Sequence, residues 1–410
     1  MPSSSPPYAP GFGVVPPVPV GRGPLLDQHE RGLVHGPGDP HYTWALIGER
    51  GVGKTVYLTM LGERMRARGW AVLDYQAIAE QDPLRDLLDK LPDALAGHWR
   101  GRGWRSLERE LTVQLNAAVI KVQGRVATPA GGGEGGSAAL ALERALRPVG
   151  DYATKKHVGL LITLDEAQTL GANLKALGAV MQMVTSRQRQ PIAFALAGTP
   201  ELGQLLLRSG SFPERMPRAE LGMLSDEQSR LALLEPANAR QVTWDETAAR
   251  AIADAAGGYP YFVQLGGYDA WRAEPSEHAI AHHAGATAVE AIKAAADRIF
   301  RDRWERLGPV QRTYLASAAM IALEDHPAGI STGQVARALG KEQTELSMIR
   351  RALIEEHHLL RAGARGYVVF AFPRFQLWLQ EQLASPQPAD GFDGLLPPSL
   401  RQPRSRRQAR

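Results

Sequence analysis

The sequence predicts an α/β domain with a central, mostly parallel sheet, followed by an all-α lid and then a small domain of three helices and a hairpin. Three observations carry this expectation. Short apolar runs of β type alternate with longer helical stretches in the first half, which is the signature of a parallel sheet covered by helices. The β-type runs stop after about residue 224, where only helical periodicity continues. The rhythm changes again over about 308–384.

The β-type runs are Thr43–Ile47, Ala71–Tyr75, Gly159–Leu164 and Ile192–Leu196. Most are apolar throughout, as strands buried on both faces require. A Gly-rich break at 124–137 follows a helical stretch at 104–122 and reads as a flexible insertion. Helical segments then fall near 225–235, 244–256, 261–273 and 285–306, with Gly257-Gly258-Tyr259-Pro260 as a stop and restart. Further on, helices are expected at 309–323, at 331–339 behind the capping residues Ser331 and Thr332, and near 343–357. A strand–turn–strand over Leu359–Ala362 and Tyr367–Phe372 completes a winged-helix pattern.

The expected divisions are therefore a disordered Pro-rich N-terminus at 1–20, an α/β domain at 21–223, a helical lid at 224–300, a winged helix at 301–384 and a disordered basic tail at 385–410. Proline marks both ends: ten of the 29 lie in residues 1–40 and five follow Ser385. Such segments lack the apolar periodicity that repays ordering entropy.

Charge is unevenly spread. Lys plus Arg total 47 against 43 Asp plus Glu, a net +4, yet the last ten residues hold five Arg and no acid. Residues 1–400 thus carry 42 basic and 43 acidic groups, a net −1, and the chain is not a polycationic nucleic-acid coat. The absence of cysteine excludes disulfides, thiolate zinc sites and thiol nucleophiles. The longest clean apolar run, Ile192–Gly198, is far short of the roughly 20 residues that span a bilayer. With no secretory signal in the opening residues, a cytoplasmic location is expected.

The strongest motif is GERGVGKT, Gly48 to Thr55, which matches G-x-x-x-x-G-K-[ST] between an apolar strand and a helical run. Glycines at this spacing let backbone N–H groups curl around phosphates, and the helix N-terminus adds partial positive charge. Gly48, Glu49, Arg50, Gly51, Val52, Gly53, Lys54, Thr55 and Val56 are the candidate nucleotide-binding residues. Lys54 would neutralise the β- and γ-phosphates of ATP, and the Thr55 hydroxyl would ligate Mg2+. A carboxylate is needed next, and Gly159–Leu164 runs into Asp165-Glu166-Ala167-Gln168 about 110 residues later. Asp165 can hold Mg2+ through water, and Glu166 can polarise an attacking water, which favours hydrolysis over phosphoryl transfer to a metabolite. The following strand ends at Thr199, placed to sense the γ-phosphate and also to cap the helix that begins at Pro200.

With these motifs in order, the chain resembles AAA+ ATPases of the origin-recognition and archaeal-type branch, which adjoins the STAND signalling NTPases. The resemblance spans about residues 20–380. It includes Val20-Gly21-Arg22, similar to the family's box before the P-loop, which implies that Gly21 and Arg22 contact adenine. It also implies an arginine finger acting on a neighbouring copy, with Arg215 favoured over Arg208 and Arg218. Where relatives often carry a lid arginine, GGYPYFVQL offers Tyr261, a departure that suits a slow switch.

Two functional classes stay open. One is an ATP-dependent factor acting on DNA through the winged helix or the basic tail; the other is a signalling ATPase whose winged helix binds protein partners. The expected third helix of that module mixes Arg350 and Arg351 with Glu342, Glu345, Glu355 and Glu356, a poor match to phosphates. The pairs His282-His283 and His357-His358 lack metal-ligand spacing, and Trp44, Trp271 and Trp378 read as packing residues.

Overall fold

A computed structural model describes residues 5–11, 13–99, 105–109, 111–113, 134–273, 279–322, 329–385, 391–392 and 394–400. The chain divides into two compact units, one made of Gly11–Val15 and Gly21–Gly222, the other of Met1–Pro10, Pro16–Val20 and Met223–Arg410. Of the Gly-rich break expected at 124–137, residues 124–133 lie outside the described residues, as do the arginines of 401–410, while 134–137 open a helix.

The first unit is built on a parallel five-stranded sheet. In chain order its elements are α1 (Gly23–His35), β1 (Trp44–Ile47), α2 (Lys54–Ala67), β2 (Ala71–Gln76), α3 (Pro83–Ala96), α4 (Glu134–Lys156), β3 (Leu160–Asp165), α5 (Asn173–Met181), β4 (Ile192–Gly198), α6 (Pro200–Arg208), α7 (Ser211–Arg215) and β5 (Arg218–Glu220). The strand order is β2-β3-β4-β1-β5, so β1 lies between β4 and β5. Every residue of β3 and of β4 is buried, as strands covered on both faces must be. Sequence periodicity locates four of these strands. It misses β5, whose three residues Arg218, Ala219 and Glu220 have no apolar run to betray them.

Helix α3 begins where Asp82 accepts from the Leu84 and Arg85 amides ahead of Pro83, and it buries Leu84, Leu87, Leu88, Leu91 and Leu95 on one face. Helix α1 is fixed by His29. That imidazole is 2% exposed, stacks on Trp44 at 3.7 Å between ring centroids and shares a 2.6 Å hydrogen bond with the Tyr57 hydroxyl on α2. Burial, with His41 adding a smaller effect, pushes its pKa from 6.5 down to about 3. Trp44 is thus a packing residue.

The second unit is mainly helical. It contains α8 (Asp226–Asn238), β6 (Thr243–Trp244), α9 (Glu246–Ala256), α10 (Pro260–Ala273), β7 (Ala279–Ile280) and α11 (His282–Glu305). Between about 224 and 308, where only helices are expected, β6 and β7 form a parallel pair of two residues each. Gly257 closes α9 at φ 56°, a left-handed cap that a side chain would strain. Then follow α12 (Pro309–Ile321), β8 (Ile330–Ser331), α13 (Thr332–Leu339), α14 (Ser347–Glu355), β9 (Leu360–Ala362), β10 (Tyr367–Phe370) and α15 (Pro373–Ala384). Strands β9 and β10 pair antiparallel, β10 also pairs with β8, and the Ser331 side chain caps α13 as expected. Three helices followed by a hairpin is the predicted order. One continuous core links these elements through Phe262, Phe300, Phe375 and Trp378.

Both termini contain ordered anchors, which corrects the expectation of disorder throughout 1–20 and 385–410. Tyr8 is 4% exposed, its hydroxyl donates to the Leu233 carbonyl at 2.6 Å, and its ring meets Trp244 and Trp271 edge-on. Phe392 is buried and stacks on Trp304 at 4.4 Å. In each case one aromatic side chain is buried against tryptophan rings of the second unit. Among the described residues, no helix is long and apolar enough to cross a membrane.

Candidate phosphate-binding site

The site lies at the C-terminal ends of β1, β3 and β4, where parallel sheets present their loops to ligands. The strand β1 delivers Gly48, and the loop turns into α2 through Gly53, whose φ of 94° is a left-handed value suited to glycine. No side chain caps α2, which leaves its first-turn amides to whatever anion occupies the loop.

Lys54 is 5% exposed and donates to the carbonyls of Gly48 at 2.8 Å and Glu49 at 2.9 Å. Burial lowers its pKa from the ordinary lysine value, while Glu166, Asp165 and Glu49 oppose that shift. Within the loop, Glu49 and Val52 are buried and Arg50 and Gly51 are exposed; Val56 is half-buried on α2.

Asp165 ends β3 with both oxygens in use. Oδ2 accepts from the Thr55 hydroxyl at 2.5 Å, and Oδ1 accepts from the Glu166 amide at 2.9 Å. A hydroxyl beside a carboxylate is a hard-oxygen pair of the kind magnesium prefers, and both groups sit at the mouth of the phosphate loop. Among the described residues no cluster of three or more His, Asp or Glu could hold a metal ion by itself. Magnesium typically keeps several waters and substrate phosphates as ligands, and a two-residue protein contribution fits that habit.

Glu166 follows at φ 51°, a left-handed conformation unusual for a residue with a side chain. Its carboxylate accepts from Gln168 Nε2 at 2.6 Å. The Gln168 carbonyl oxygen in turn accepts from the backbone N–H of Thr199 at 3.1 Å. Thr199 itself is buried at the end of β4 and precedes α6, but its hydroxyl makes no capping bond and has no hydrogen-bond partner.

The structure therefore brings Lys54, Thr55, Asp165, Glu166 and Thr199 to one edge of the sheet. Gly21, with φ 75°, precedes Arg22, whose Nη2 donates to the carbonyls of Val52 at 3.1 Å and Gly222 at 2.8 Å. Arg22 thus braces the back of the loop. Arg215 is exposed on α7, with Nε donating to the Ser211 carbonyl at 2.8 Å; Arg208 and Arg218 are exposed as well. Sequence reading missed the part played by Gln168. Its only signal was a polar side chain two positions after Glu166, which is common in any turn.

Comparison with known proteins bears on the fold that carries these residues. A family described as AAA domain matches residues 41–206, and one described as a domain of unknown function matches 297–379. No curated protein matches the chain. A Walker-type ATPase of Pyrococcus abyssi shares the fold at a TM-score of 0.59 and 14% identity, over 88% of this chain and 96% of its own. The Aeropyrum pernix ORC2 protein, in its ADPNP–ADP complexes, does so at 0.54 and 17% identity, over 92% of this chain and 98% of its own. The ADP form of that ORC2 protein gives 0.51, with the same identity and coverage. Residues 41–206 are thus similar to AAA domains, and the fold is the one shared by the Pyrococcus abyssi ATPase and the Aeropyrum pernix ORC2 protein. The resemblance and the fold class read from the sequence are both borne out.

Proposed function

We propose that the protein binds Mg-ATP in the loop Gly48–Thr55 and hydrolyses it slowly, acting as a switch that couples occupancy to conformational change or assembly. The observation that carries this reading is the convergence of the Thr55 hydroxyl on Asp165, with Lys54 and Glu166 close enough for their charges to act on one another. That the ORC2 protein of the same fold occurs with ADPNP and ADP supports the choice of nucleotide.

Thr55 and Asp165 are the residues that would hold magnesium, which when bound supplies neutralisation of phosphate charge. Lys54 exchanges its carbonyl partners for phosphate oxygens, and the α2 amides bind the β-phosphate. Glu166 orients water toward the γ-phosphate, and Thr199 offers its unpartnered hydroxyl as a sensor of that group. Arg215, exposed on α7, would act as a finger in a neighbouring copy. Arg22 and Gly21 would steady the loop next to the base.

The test is a titration with a fluorescent ATP analogue and a single-turnover assay. Lys54→Ala is expected to lose affinity, and Glu166→Gln to keep affinity and lose turnover. Unchanged affinity in the first variant would sink the phosphate-site reading.

A specific observation bears on the partner of the module from α12 to α15, which we read as a winged helix. Arg351 on α14 pairs with Glu355 at 2.8 Å, and Lys341 just before it pairs with Glu345 at 3.7 Å. Two positive charges of this segment are thus answered by its own carboxylates, which favours a protein partner over a DNA backbone. Salt-dependent DNA binding, measured with ATP and with ADP before and after deletion of residues 401–410, decides between them. Nucleotide-dependent binding that survives the deletion supports the DNA reading; loss of all binding with the tail supports the protein partner.

A further inference from the structure

The structure assigns to Gln168 the part of a positioning residue that ties the Glu166 carboxylate to the end of β4, so that the water-orienting acid and the γ-phosphate sensor move as one. This rests on the proposed hydrolysis but adds a residue and a coupling to it.

The geometry leaves the amide little choice. Glu166 offers only acceptors, and the Thr199 N–H is only a donor. A single orientation of the Gln168 amide satisfies both, with Nε2 toward Glu166 at 2.6 Å and Oε1 toward Thr199 at 3.1 Å. Shape enforces the same arrangement. A Cβ on Gly198 would fall 2.6 Å from Gln168 Oε1 and 2.9 Å from Leu202, so the amide occupies the space a side chain there would need. Gln168 itself sits on a one-turn 3-10 helix, Ala167–Leu170, which is pinned to Glu166: the Thr169 amide and hydroxyl both donate to the Glu166 carbonyl at 2.9 Å.

The consequence is mechanical. Glu166 and Thr199, both assigned here to the γ-phosphate, follow different strands, and this one side chain is a polar link between them. A shift of Thr199 toward a γ-phosphate pulls on Oε1, and Nε2 then re-aims the carboxylate. A parallel sheet alone gives no such link, because its ladder bonds fix backbone and not the rotamer of an acid.

Three variants test the assignment. Gln168→Leu removes both bonds, Gln168→Glu keeps an acceptor for Thr199 but removes the donor to Glu166, and Gln168→His can supply one donor and one acceptor. Positioning predicts that kcat falls roughly tenfold or more in the Leu and Glu variants, with KM and ATP-analogue affinity nearly unchanged, and recovers in part in the His variant. A readout free of turnover accompanies this: amide exchange at Thr199, measured in the nucleotide-free protein, should accelerate in Gln168→Leu and stay slow in Gln168→Glu.

The outcomes separate the two claims. If Glu166→Gln is inactive while Gln168→Leu and Gln168→Glu turn over like the parent, the coupling is overturned and the hydrolysis reading stands. If Glu166→Gln turns over normally, or the parent has no turnover, the hydrolysis reading fails and takes the coupling with it. Equal loss of kcat and affinity in all three Gln168 variants marks a merely structural residue and also overturns the assignment.

Discussion

Thr55 Oγ1 donates to Asp165 Oδ2 across 2.5 Å, although 110 residues separate the two in sequence. The contact joins the first turn of α2 to the last residue of β3, and it sets a hydroxyl and a carboxylate side by side where a divalent cation would need them.

Replacing Thr55 by Val keeps the volume and removes the hydroxyl. Metal-free nucleotide affinity should stay close to that of the parent, while the gain on adding magnesium falls roughly tenfold. Calorimetric titration with and without a chelator measures both quantities. An undiminished magnesium effect would exclude Thr55 as a ligand.

Gly198→Ala places a methyl group where Gln168 Oε1 and Leu202 already are, at 2.6 and 2.9 Å. Overpacking of this kind costs about 1–3 kcal/mol. The variant should therefore melt earlier than the parent and also hydrolyse ATP more slowly, since the displaced amide is the one that holds Glu166. Thermal unfolding and turnover, compared on the same sample, check the pair of effects.

Tyr8→Phe removes one hydroxyl that donates to Leu233 and accepts from the Trp244 indole, a loss of about 1 kcal/mol. Tyr8→Ala also removes the ring between Trp244 and Trp271 and should cost about 3 kcal/mol. Denaturant midpoints of the two variants should fall in that order. Equal midpoints for parent and Tyr8→Ala would show that the N-terminal segment adds nothing to the second unit.

His29 makes stability depend on acid. Its pKa is about 3 in the folded protein against 6.5 in the unfolded chain, so between those values the unfolded state binds the extra proton. Folding free energy is thus lost as the pH drops below about 6.5, by at most about 1.4 kcal/mol per pH unit for this one group. His29→Phe keeps a ring against Trp44 and titrates nothing. It should start less stable at pH 7, through the lost bond to Tyr57, and lose less on going to pH 5 than the parent does.

What the sequence made legible was local. The loop Gly48–Thr55 and the turn Asp165–Glu166 declare themselves because their chemistry depends on residues a few positions apart, next to strands that are apolar throughout. What stayed hidden depends on distant partners. Tyr8 meets Leu233 at a separation of 225 residues, and a Pro-rich setting says nothing of that. The place of Arg22 in a motif does not disclose the Val52 and Gly222 carbonyls to which its Nη2 donates, the latter 200 residues away. Gln168 adjoins the acidic pair in sequence, but only the fold brings Thr199 within reach of it.

Glu166 combines the carboxylate proposed to orient water with a φ of 51°, and that combination has an evolutionary side. Left-handed backbone costs an ordinary residue about 1 kcal/mol or more, and asparagine tolerates it better than glutamate does. Selection for robustness alone would therefore drift away from glutamate at this position, whereas selection for turnover would hold it there. A library ranked by expression or heat resistance should place hydrolysis-dead members such as Glu166→Asn among its winners, and only a second screen for phosphate release would put the parent back on top.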